Sequence, residues 1–97
     1  MDNIINASIQ VLPTSNDKHP YEIVDVAISV IENSGLKYKV CPFETVLEGT
    51  YDEVMLTIKK VYESCLQENI ESIFSYIKIQ IRKNNDVTIE DKMNKYE

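Results

Sequence analysis

The chain opens on an alternation of apolar and polar positions. Ile5, Ala7, Ile9 and Val11 fall on one side, Asn6, Ser8 and Gln10 on the other. A period of two is that of a half-buried strand, here over residues 4–12. Pro13 is expected to end it, and residues 14–19 to form a polar loop. Pro20 suits the first position of a helix, where its missing N–H leaves no bond unmade. Ile23, Val26, Ala27, Val30 and Ile31 then recur at spacings of three and four, the apolar stripe of an amphipathic helix. Gly35 stands where helices commonly end in a left-handed residue.

The period returns to two over residues 36–41, a second strand. After Pro42 and Phe43 it holds over residues 45–49, a short third one. Thr50-Tyr51-Asp52-Glu53 has the form of a capping box, a hydroxyl three residues ahead of a glutamate and before an apolar run. Val54, Met55, Ile58, Val61, Tyr62 and Cys65 carry a second helix to about residue 67. Residues 72–83 hold the strongest strand pattern. Ile73, Ser75, Ile77, Ile79 and Ile81 share one face, and Phe74, Tyr76, Lys78, Gln80 and Arg82 the other. Thr88, three residues before Asp91, caps a short C-terminal helix over residues 88–96.

This order, β-α-β-β-α-β, predicts an α+β fold of the ferredoxin-like type. Right-handed crossovers put both helices on one face of an antiparallel sheet. Residues 1–97 read as one domain, with a core over 4–83 and a C-terminal extension over 84–97. With the first and third strands central and the fourth beside the first, one sheet face stays open. It displays Asn6, Ser8, Gln10, Val46, Glu48, Phe74, Tyr76, Lys78 and Gln80. A chain this short buries only about 60–65% of its unfolded surface. Ile4, Leu12, Phe74 and Tyr76 are therefore expected to be covered by a second copy, giving a homo-oligomer.

Charge narrows the function. Sixteen acidic against ten basic residues leave −6, and Arg82 is the one arginine. Counterion displacement from a nucleic acid needs clustered bases, so no nucleic-acid partner is expected. No apolar run approaches the ~20 residues of a membrane helix. The acidic start, Met1-Asp2-Asn3, predicts no secretory leader. A cytoplasmic protein without a membrane partner follows. Cys41, Cys65 and His19 supply three nitrogen or sulfur ligands, fewer than the roughly four of a structural zinc site. His19, before Pro20 in a loop, reads as a solvated residue, and the two cysteines as small hydrophobes. No catalytic residue, metal or required cofactor is assigned, and the chain is not expected to be an enzyme.

Glu48 is the sharpest candidate for binding. On a central strand a carboxylate is costly unless paired or hydrogen-bonded. An ion pair with Lys78 or Lys37 is one solution, and a cationic or amidine-like ligand another. Thr45 lies three residues before it, either a site hydroxyl or a β-branched strand residue.

Residues 35–40, Gly-Leu-Lys-Tyr-Lys-Val, then Pro42 and the run Thr45-Val46-Leu47-Glu48-Gly49, resemble the thiamine-binding protein family. So do the first strand, Ser8 to Pro13, and the last, Ile77 to Arg82. The resemblance spans residues 4–83 and departs from the family pattern at Glu44 and Tyr62, where glycine and histidine are frequent. It implies a ferredoxin-like fold, dimers or tetramers, and non-catalytic binding of thiamine or its hydroxymethylpyrimidine moiety. Glu48 can accept from an aminopyrimidine in a charge-assisted bond, with Thr45, Ser8 and Gln10 beside it. Phe74, Tyr76 or Tyr38 can meet a thiazolium cation. The competing reading is an oligomeric structural or regulatory module without thiamine affinity, for example one that senses amino acids.

Overall fold

The computed structural model describes residues 2–15 and 20–96. Its elements are β1 (Ile4–Ser15), α1 (Pro20–Asn33), β2 (Lys37–Val40), β3 (Thr45–Thr50), α2 (Tyr51–Leu66), β4 (Ile70–Gln80) and α3 (Ile89–Met93). A short 3-10 turn, Asn94–Tyr96, follows. The strands form one antiparallel sheet in the order β2-β3-β1-β4. This is the ferredoxin-like α+β architecture.

The faces divide as the alternation demands. Ile5, Ala7, Ile9 and Val11 of β1 and Leu47 of β3 meet Ile23, Ala27 and Ile31 of α1 and Val54, Ile58, Val61 and Cys65 of α2. Full burial of each larger aliphatic side chain contributes about 1.5–3 kcal/mol. On β4 this face is less covered: Ser75 accepts from the Tyr62 hydroxyl at 2.7 Å, while Ile77 and Ile79 remain exposed.

Local chemistry sets most of the boundaries. Gly35 takes φ +82° after α1, a conformation that costs a side-chain-bearing residue about 1–2 kcal/mol. Gly49 leaves room for Leu36, whose Cδ2 lies 3.0 Å from where a β-carbon would stand. The capping box at α2 is complete. Glu53 N–H donates to Thr50 Oγ1 at 3.3 Å, and Glu53 Oε1 accepts from Thr50 N–H at 3.1 Å.

Two boundaries differ from expectation. Pro13 does not end β1, which continues to Ser15 and pairs Pro13 with Ile73. The partner β3 reaches only as far as Ile9, so beyond it β1 has one free edge, where a proline without an N–H is tolerated. A register shift between Thr14 and Ser15 closes the ladder. β4 correspondingly begins at Ile70 and stops at Gln80. Of the expected polar loop, residues 16–19 lie outside those described, His19 among them.

The larger difference is the C-terminal extension, which packs onto the sheet. Ile4 N–H donates to Asp86 Oδ1 at 2.8 Å, and Val87 N–H donates to Ile4 O at 2.9 Å. Val87 and Ile89 are buried. Thr88 caps α3 as expected, its Oγ1 accepting from Asp91 N–H at 3.1 Å. Val87 O accepts from the Asn6 side chain, and Ile89 N–H donates to that of Glu48. Both side chains belong to the face that the main helices leave open, so α3 covers part of it.

Candidate functional site

The register lays out the open face in cross-strand rows. One row runs Lys37, Glu48, Asn6 and Gln80, and the next runs Lys39, Val46, Ser8 and Lys78. Leu12 faces Phe74, and Gln10 faces Tyr76, further along the β1–β4 ladder. Adjacent strands stand about 4.7–4.9 Å apart, so groups in one row are within reach of a single small molecule.

α3 turns part of this face into a cavity of about 360 Å³. Asn6, Ser8 and Val46 line it from the sheet. Lys39, Cys41 and Glu44 line it on one side, Lys78 and Gln80 on the other, and Ile89, Lys92 and Met93 of α3 close it. That volume falls at the lower end of small-ligand sites, roughly 300–1,000 Å³.

Asn6 is the buried polar residue of the cavity wall, with 3% of its surface exposed. Its Nδ2 donates to Val87 O at 3.0 Å and to Ile5 O at 3.2 Å. These two acceptors fix which side-chain atom is nitrogen. Oδ1 is left buried and without a hydrogen-bond donor among the described residues. Such an atom loses its solvation and recovers nothing, a cost of about 1–3 kcal/mol that a bound donor would relieve.

The expected site residues separate. Ser8 is in the cavity. Glu48 is on the open face, but its Oε1 accepts from Ile89 N–H at 2.7 Å. That bond fastens α3, and Glu48 is not among the residues that line the cavity. Thr45 pairs with Ile9 on the opposite, helix-covered face and is buried there. Tyr38 pairs with Leu47 on that same face and packs half-buried against the core. The correction follows from the period of two: Thr45 is an odd number of residues from Glu48, so the two cannot share a face. Thr45 and Gln10 border a different cavity of about 200 Å³, together with Tyr21 and Phe43. Phe74 and Tyr76 are on the open face but do not line the 360 Å³ cavity.

Asn6, Lys39, Lys78, Gln80 and Lys92 are among the cavity residues that the sequence does not single out as ligands. The signal was present for the strand residues, which follow Ser8 by alternation and register. Nothing in the pattern placed Lys92 over the sheet. Cys65 lies in the core, its Sγ 3.9 Å from Ile23 O, and burial foremost pushes its thiol above the ordinary range. Cys41 is a free cysteine at the cavity edge. Among the described residues, no group of three or more His, Cys, Asp or Glu is placed to hold a metal, and no helix is long and apolar enough to cross a membrane.

Comparison with known proteins adds a family. The profile of the thiamine-binding protein family matches residues 7–97. A UPF0045 protein of Clostridium perfringens is 40% identical over 91 residues, covering 94% of this chain and 95% of that protein. A DUF77 domain from Bacillus cereus superposes with a TM-score of 0.93 at 35% identity, over 98% of this chain and 91% of that one. A protein of Thermotoga maritima, proposed to act in thiamine biosynthesis or salvage, superposes with a TM-score of 0.86 at 32% identity, over 97% and 99%.

Proposed function

Because the chain belongs to the thiamine-binding protein family, we propose that it is a non-catalytic, cytoplasmic protein binding thiamine or its hydroxymethylpyrimidine moiety in the cavity beneath α3. The observation that carries this is Asn6 Oδ1, a buried acceptor without a donor among the described residues, on a side chain that lines the cavity. An aminopyrimidine presents the missing group, an exocyclic NH₂, flanked by ring nitrogens that accept. Ser8 and Gln80 are the neighbouring side chains able to donate to those nitrogens. Satisfying a buried acceptor gives specificity as well as affinity, since an analogue lacking the amino group leaves Oδ1 unpaired. The free cysteines fit a reducing compartment.

Calorimetry with thiamine and with hydroxymethylpyrimidine tests the reading. Saturable one-to-one binding per chain is expected. Removing the amino group from the pyrimidine weakens it by roughly tenfold or more, the worth of one buried hydrogen bond. Asn6→Ala is expected to abolish that discrimination, and Ser8→Ala, which leaves the Val87 contact intact, to weaken binding of both ligands. Absence of binding at millimolar concentration, or indifference to the amino group, overturns it.

A further inference from the structure

The charge of the cavity runs against the charge of the chain. Acids outnumber bases sixteen to ten overall, yet three lysines and one acid, Glu44, line this space. Lys39 and Lys78 end the same cross-strand row, with uncharged Val46 and Ser8 between them. Lys92 comes from α3, opposite the sheet. The nearest carboxylate in the neighbouring row, Glu48, is outside the lining and committed to Ile89 N–H. A site for thiamine's thiazolium cation alone has no use for this arrangement. Lysines thus line the cavity both from the sheet and from the covering helix, a lining whose charge suits an anion. A phosphate monoester carries about −1.5 to −2 at neutral pH and three strong acceptor oxygens.

We infer that this site is built for a phosphorylated ligand: the pyrimidine amino group meets Asn6 Oδ1, and a phosphate ester is held by Lys78 and Lys92, with Lys39 adding to the field. The inference rests on the reading of the cavity as a pyrimidine site and names the form of ligand it takes. Lysine binds phosphate as a point charge, so the contribution is electrostatic and sensitive to salt. Lys78 and Lys92 are exposed, so their replacement leaves the fold in place.

The experiment is calorimetry on the full chain with five probes: hydroxymethylpyrimidine, its phosphate ester, thiamine, thiamine phosphate and ribose 5-phosphate. At low salt each phosphorylated vitamin form is expected to bind about tenfold or more tighter than its parent alcohol. The advantage shrinks as ionic strength rises from about 0.05 to 0.5 M. Lys78→Gln with Lys92→Gln removes most of it at an unchanged melting temperature, and Lys78→Arg with Lys92→Arg retains it. Equal affinity for alcohol and ester overturns the phosphate inference while the pyrimidine reading stands. Ribose 5-phosphate binding as tightly as the vitamin esters overturns the pyrimidine reading and leaves an anion site. Binding of none of the five overturns both.

Discussion

Asn6 and Glu48 exchange the roles that their chemistry first implies. A carboxylate on a central strand looks like the ligand-binding group, yet its Oε1 is taken by Ile89 N–H. The neutral amide beside it in the same row keeps a buried acceptor that has no donor among the described residues. Alternation made the face membership of both residues readable, and it equally excluded Thr45 and Tyr38, which fall on the other parity. What alternation lacks is the third dimension: which open-face residue is covered, and by what, depends on a segment some eighty positions away. Glu53 is a residue whose role was legible in full, because a capping box is local. The backbone N–H and hydroxyl of Thr50 hold its carboxyl below the usual carboxylate range. The native state therefore favours the ionised form. The resulting stability is present at neutral pH and is lost as pH falls through the lowered native pKa. Wild type is accordingly expected to exceed Glu53→Gln in urea midpoint at pH 7. The difference should decline as pH falls from the ordinary carboxylate range through the lowered native pKa, and vanish below it, as both side chains become neutral. A difference that is constant with pH contradicts the role of the charge.

Elements that carry a local start or stop signal form where the pattern predicts them. α1, β3, α2 and the cap of α3 each carry their own start or stop signal. β1 and β4 end elsewhere than their pattern predicts, because a strand's length is set by its neighbour. Pro13 is a stop only where both edges of the strand are paired, and beyond Ile9 one is not. α3 shows the same dependence more strongly. Its five residues are too few to be stable as an isolated helix, so tertiary contacts must hold it. Those contacts are Glu48 to Ile89 N–H, Asn6 to Val87 O and Val87 N–H to Ile4 O. A hydrogen bond to a charged group contributes about 1.5–3 kcal/mol. Glu48→Ala is therefore expected to speed amide exchange at Val87 and Asp91 by roughly tenfold to a hundredfold, since each 1.4 kcal/mol is a factor of ten. Exchange along the β1–β3 ladder should stay slow. Uniform acceleration across the sheet, or none at Val87 and Asp91, contradicts the view of Glu48 as the fastener of α3.

At the scale of the whole molecule, the two faces of the sheet are unequally provided for. α1 and α2 cover one, α3 covers part of the other, and neither set reaches the far side of β4. β4 is an edge strand of eleven residues with apolar side chains exposed on both faces: Phe74 at 67% and Tyr76 at 60% on one, Ile77 and Ile79 on the other. Leu12, opposite Phe74, extends the patch. A long, apolar, unpaired edge is a template for association, and soluble proteins normally blunt or cover it. Lys78 and Gln80 are the polar residues along this stretch of the open face, and the cavity uses both. A second copy is expected to cover the remaining side of the strand, since two-fold pairing would bury the same residues on each chain. The protein is expected to sediment at micromolar concentration as a dimer or larger. Phe74→Glu with Tyr76→Glu should shift it toward the single chain without loss of secondary structure, because both side chains are exposed within one chain. Sedimentation of the wild type as a single chain would mean that the β4 edge tolerates water. The shortness of the domain would then no longer account for its apolar surface.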